Sequence, residues 1–88
     1  RELPTVDSIL AEPSAAEVPQ EPAALYATCE ALSLRAAQET MEALTTYAER
    51  LPAEFSVLLM RDAVCQNTDV VHTPAFSRWA QKNAEVLL

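Results

Sequence analysis

None of the 88 residues is glycine, and that absence constrains the chain more than any residue it contains. At an average usage of roughly 7%, about six glycines would be expected. Loops that cradle phosphate rely on glycine, because the backbone must approach the anion and visit positive φ. A Walker A loop or a dinucleotide-binding fingerprint needs several. The chain therefore holds no nucleotide site of those kinds. Six prolines supply the punctuation instead, and the remainder reads as helix.

A chain of this length makes one domain with a single modest core. Half of its residues are apolar, which fits a folded protein and not a disordered tail. Alanine and leucine dominate, with few β-branched residues mid-chain, and this favours helix over sheet. The expected fold is all-α: a small bundle of four main helices, arranged as two antiparallel helical hairpins, preceded by a proline-rich N-terminal arm.

Thirteen acids stand against six bases, for a formal net charge of -7. Nucleic acid repels such a surface, and no basic stripe compensates. The only lysine is Lys82. An anionic membrane is an equally poor partner. No apolar run reaches the roughly 18 residues of a membrane span, and no secretory leader pattern is visible. The chain opens Arg1-Glu2-Leu3-Pro4, without methionine, and reads as a fragment of a longer cytoplasmic protein. Cys29 and Cys65 both fall in apolar helical stretches. They read as two small buried hydrophobes in a reducing compartment.

Residues 1–20 form the expected arm or linker, and residues 21–88 the helical domain. Within the arm, Thr5 to Leu10 suits one short helical turn capped by Thr5 or Asp7. Val6, Ile9, Leu10 and Val18 could lie along a neighbouring surface. The first main helix starts at Glu21-Pro22, where proline's missing N–H costs nothing. Leu25, Cys29, Leu32 and Ala36 follow at helical spacing, beside Tyr26, and the helix should end near Arg35. The second runs from about Gln38 to Leu51 on the apolar seam Met41, Leu44, Ala48 and Leu51. The third opens at Pro52, with Phe55, Leu58, Leu59, Ala63 and Gln66 on one face. Its apolar residues lie most of the way round, so it should be central and largely buried. Asn67 to His72 is a short polar connection. Thr73-Pro74 then gives the clearest start signal, an N-cap hydroxyl before a first-turn proline. Phe76, Trp79, Ala80, Asn83 and Leu87 follow, with Val86 and Leu88 at the end. Short connections join antiparallel neighbours, hence the two expected hairpins. The starts at Pro22, Pro52 and Pro74 keep no fixed period, which argues against a repeat solenoid.

No constellation carries catalysis or a metal. His72 is the only histidine, seven residues from Cys65, with no CxxC or HxxxH pattern around it. A nucleophilic Cys65–His72 pair would want an electropositive setting, which this chain does not offer. Glu39, Glu42 and Glu49 stand off the seam of the second helix. They read as solubilising groups, or as an acidic docking surface for a basic partner. Arg61-Asp62, a charged pair inside the most apolar helix, must be paired or reach solvent. Arg61, Asp62, Arg78 and Trp79 are the candidate partner-contact residues. Trp79 would be a hot spot if exposed and a core anchor if buried.

The run Tyr47-Ala48-Glu49-Arg50-Leu51-Pro52-Ala53-Glu54-Phe55-Ser56-Val57-Leu58-Leu59-Met60-Arg61-Asp62-Ala63, with Glu21 to Tyr26 before it and Ala75 to Ala80 after it, resembles the C-terminal tail of MoxR-type AAA+ ATPases of bacteria and their phages. The resemblance covers nearly the whole chain and rests on packing residues. It implies a parent with an ATP-binding core and helical lid upstream, which would hold ATP and Mg and hydrolyse the nucleotide. It also implies a ring-forming, chaperone-like machine working beside a von Willebrand A-type partner protein. None of the parent's catalytic motifs maps onto this chain. Arg61 and Arg78 match the tail's pattern without a nucleotide role. The expected function is therefore a non-catalytic C-terminal accessory domain, without cofactor of its own, that assists assembly or partner contact. The alternative is an independent acidic helical adaptor binding a protein partner.

Overall fold

The computed structural model describes residues 3–87, with the side chains of Val86 and Leu87 left aside. The expectations for those two side chains and for Leu88 lie outside what is described. In chain order the helices are α1 (Val6–Ala11), α2 (Pro22–Ser33), α3 (Met41–Ala48), α4 (Ala53–Gln66), α5 (Pro74–Lys82) and α6 (Ala84–Leu87), with a 3₁₀ helix, Thr68–His72, between α4 and α5. No strand occurs among the described residues.

The lack of glycine decides how these helices end. No described residue has positive φ, so the left-handed C-terminal cap that glycine normally provides is absent among them. At the ends of α2 and α3, tight i→i+3 turns satisfy the last carbonyls instead. At the end of α2, Arg35 N–H donates to Leu32 O (2.9 Å) and Ala36 N–H to Ser33 O (3.2 Å). At the end of α3, Arg50 N–H donates to Tyr47 O (3.0 Å) and Leu51 N–H to Ala48 O (3.1 Å).

The starts follow side-chain chemistry. Thr5 and Ser8 form a reciprocal capping box on α1, which satisfies two otherwise orphaned donors. Pro22 opens α2. Thr73 Oγ1 accepts from Phe76 N–H (3.2 Å) at the start of α5 and donates to Val70 O (2.7 Å). The second main helix is shorter than the sequence spacing suggests, beginning at Met41 and not Gln38. The Thr40 hydroxyl accepts from Ala37 N–H (3.0 Å) and donates to Arg35 O (2.7 Å). That local turn uses the backbone groups a longer helix would have needed.

The core joins all these elements. Leu25, Cys29 and Leu32 of α2 meet Met41, Leu44 and Ala48 of α3, with Leu51, and Leu59 and Met60 of α4. Trp79 enters from α5, Val70 from the 3₁₀ helix and Ile9 from α1. The connection expected to be merely polar thus contributes a fully buried valine. Residues 5–19 lie across the bundle: Ile9 is wholly buried and Val6, Leu10 and Val18 pack on the same core. Tyr47 Oη donates to Glu17 O (2.7 Å) and Arg50 Nη1 to Pro13 O (2.7 Å), which tie that segment down.

Two expectations need correction. The buried face of α4 is Ser56, Leu59, Met60 and Ala63, while Phe55 and Leu58 are half-buried and Gln66 is exposed. The helix is rotated so that Ser56 meets the Trp79 indole (2.8 Å). Nor do successive helices form the expected hairpins. The main partners are alternate helices, α2 with α4 and α3 with α5. Glu42 pairs with Arg78 and Glu49 with Lys82, so both members of the α3–α5 pair advance in one direction. The 3₁₀ helix packs on both α4 and α5, so the link is folded structure and not a tight hairpin turn.

Candidate functional site

Arg61 and Asp62 are neighbours in α4, but helical geometry turns consecutive residues about 100° apart. They therefore reach opposite flanks of the helix. Arg61 is exposed and Asp62 half-buried. Arg61 borders a groove of about 300 Å³ between α4 and α5, lined almost wholly by the apolar parts of Met60, Val64, Cys65, Phe76 and Trp79. Trp79 is a core residue, 1% exposed. It lines the groove from within, with the Phe76 ring tilted against it at a centroid distance of 5.7 Å. Arg61 makes no ion pair among the described residues.

Asp62 borders a second, wider groove of about 570 Å³ between α4 and α2, where Tyr26, Glu30 and Leu34 form the far edge. Cys65 stands on the ridge between the two grooves and lines both. Arg78 belongs to neither. Its guanidinium donates to Glu42 Oε1 at 2.6 Å on the α3 side. Of the four candidate contact residues, the fold brings Arg61 and Trp79 to one groove, places Asp62 at the other and commits Arg78 to Glu42.

The expectation for Glu42 and Glu49 is a pair of solubilising groups or part of an acidic docking surface. In the fold they meet Arg78 and Lys82 at 2.6 and 3.1 Å. The signal was present in the spacing, since residues four apart on α5 and seven apart on α3 form stripes of opposite charge. Tyr26 and Leu34 are large apolar surface features, 55% and 64% exposed, that helical spacing alone does not mark as such.

The nucleophile candidates separate. Cys29 is buried and its thiol is directed at Phe55 O (3.7 Å). Burial, reinforced by the negative charge of Asp62, pushes its pKa from 9.0 up to about 11. It is held as an inert thiol. Cys65 is exposed, so only one of the two cysteines is the buried hydrophobe expected. His72 is exposed and lines a different depression, beside Glu42 and the α5 start. Among the described residues no group of three His, Cys, Asp or Glu side chains could hold a metal ion. No described helix is long and apolar enough to cross a membrane.

Comparison with protein-family models, with curated proteins and with solved structures gives no match to this chain.

Proposed function

We propose that this chain is a non-catalytic helical accessory domain that makes protein contacts within a MoxR-type AAA+ ATPase of a bacterium or phage, in the cytoplasm. The sequence resemblance supports the parent's identity. Its three blocks map onto the opening of α2, the stretch from α3 through α4, and the middle of α5. The observation that carries the contact role is the α4–α5 groove, where an apolar floor meets an exposed guanidinium that makes no ion pair among the described residues. An apolar floor bordered by an exposed arginine fits the anatomy of a protein-binding patch, in which a polar rim surrounds apolar contact and arginine is enriched. The parent would supply ATP, Mg and hydrolysis. This domain would assist ring assembly or engage a von Willebrand A-type partner.

The test is removal of residues 21–88 from the ATPase polypeptide that carries them. Ring formation in sedimentation, or capture of the partner protein, should then be impaired. Unchanged assembly, partner capture and ATP turnover would reject the proposal.

A second reading, an independent acidic adaptor for a protein partner, draws on the charge distribution. Arg35, Arg78 and Lys82 are each neutralised by an acid, and Arg50 lies over Tyr47 and on the Pro13 carbonyl. The -7 net charge is therefore carried by acids facing solvent.

A further inference from the structure

The geometry points to the α2–α4 groove as a docking site for a basic, amphipathic helical segment of a partner protein. This deepens the protein-contact role and rests on it, but does not depend on the chain being part of an ATPase.

Three observations select this groove and its occupant. Leu3, Tyr26 and Leu34 are the large apolar side chains left exposed among the described residues, and Tyr26 and Leu34 both border the groove. They stand eight residues apart, Tyr26 within α2 and Leu34 just past its end, and both line the groove, so an apolar stripe on a partner helix would meet both. Ala27 and Ala31 also line the groove, and their short side chains leave room for inserted leucines. The groove's charged residues, Glu30 on one wall and Asp62 on the other, are both acids; no base lines it. Neither carboxylate makes an ion pair among the described residues.

The rims therefore select positive charge flanking an apolar stripe. The chain's overall charge would steer such a partner toward it. A second copy of this chain is a poor occupant, because its own -7 charge would face the same acids. A helix of about 12 residues, about 18 Å long, matches the 12-residue length of α2. Tyr26 supplies a large amphipathic anchor of the type that dominates binding energy.

The probe is a synthetic helical peptide of about that length, with leucines along one face and lysines flanking them. Two controls accompany it: the same composition scrambled off the helical period, and the peptide with glutamate replacing lysine. Binding is followed by amide chemical shifts of the chain and by fluorescence anisotropy. The patterned basic peptide should bind, with shifts clustered at Tyr26, Glu30, Leu34, Asp62 and Cys65. Glu30→Lys and Leu34→Asp should each weaken it about tenfold while leaving the melting temperature unchanged, since both positions are exposed.

Absence of binding would overturn the inference. So would equal binding by the scrambled peptide. Shifts confined to the α4–α5 groove would overturn it too, while leaving the broader contact role standing. A concentration-dependent dimer abolished by Leu34→Asp would replace it with self-association.

Discussion

The indole N–H of Trp79 donates to the Ser56 hydroxyl at 2.8 Å, with both residues buried. This bond settles the rotation of α4, because it turns a polar serine inward on a helix with apolar side chains nearly all round. No buried side-chain N or O lacks a partner among the described residues, and this bond is what satisfies the indole.

Replacing Ser56 with alanine would leave the indole donor buried and unsatisfied. The expected cost is about 1–3 kcal/mol, a fall in melting temperature of roughly 4–24 °C for a domain this size. Adding Trp79→Phe should cost less in the Ser56→Ala background than in the wild type, because the orphaned donor is then removed as well. Additive effects in thermal melts would show that the hydrogen bond contributes nothing.

Tyr47 makes a comparable long-range connection. Its ring is buried and its hydroxyl reaches Glu17 O, thirty residues away. Tyr47→Phe should lower stability by about 1 kcal/mol. It should also loosen residues 13–20 more than the helices, since stability is lost locally before it is lost globally. Limited proteolysis reads this directly: cleavage in that segment should quicken while α2 to α5 stay intact. Cleavage at the wild-type rate would count against the tether.

Those two hydroxyl bonds also mark where the sequence was legible and where it was not. Pro22 and the Thr73-Pro74 cap were readable because a helix start is decided within a few residues. The seam Met41, Leu44, Ala48 and Leu51 was readable because one helical period fixes it, and all four are buried. The buried face of α4 was not, because a helix apolar on several sides has no preferred rotation until a partner such as Trp79 is in place. Ile9 could be placed along a neighbouring surface, but the burial of Pro19 and of Val70 was hidden for a related reason. Their burial depends on chain segments far away in sequence, and neither a proline-rich stretch nor a short polar link carries a periodic signal. In the candidate site, the type of residue at Arg61 and Asp62 was evident. That they serve opposite grooves required knowing what packs on each flank of α4.

Alkaline stability should decline in a defined window. Burial raises Cys29 from 9.0 to about 11. Burial also raises Tyr47 from 10.0 to about 12, with Arg50 opposing the shift and the negative charges of Cys29 and Glu17 adding to it. In both cases the unfolded chain releases its proton first, so the unfolded state binds fewer protons and stability falls as pH rises. The contribution is complete below pH 9 for Cys29 and below pH 10 for Tyr47. It is lost as pH climbs through about 11 and about 12. Urea midpoints from pH 8 to 11 should fall in wild type and flatten in Cys29→Ala. An equal slope in both would assign the alkaline loss to other groups.

The Glu42–Arg78 and Glu49–Lys82 pairs should contribute little despite their short distances. Their side chains are 40–68% exposed, and water and salt screen such pairs. A double-mutant cycle on Glu42 and Arg78 should give a coupling below about 1 kcal/mol, shrinking further in 1 M salt. A larger, salt-insensitive coupling would show that the pair organises α3 against α5 and does more than decorate their exposed edge.

The two thiols should separate sharply in their reactivity. Cys65 is exposed on the ridge of α4, whereas Cys29 is wholly buried and points at Phe55 O. A disulfide-exchange reagent attacks the thiolate and needs access to it. At pH 8 the folded chain should therefore release one equivalent promptly, and Cys65→Ser should abolish that phase. The second equivalent should appear only at the rate of unfolding, or at once in denaturant, and Cys29→Ala should remove it. Two equivalents released together from the folded chain would mean that the α2–α4 contact opens readily. Cys29 lies within that contact, so its silence is also a check that variants such as Leu34→Asp have kept the groove's walls in place.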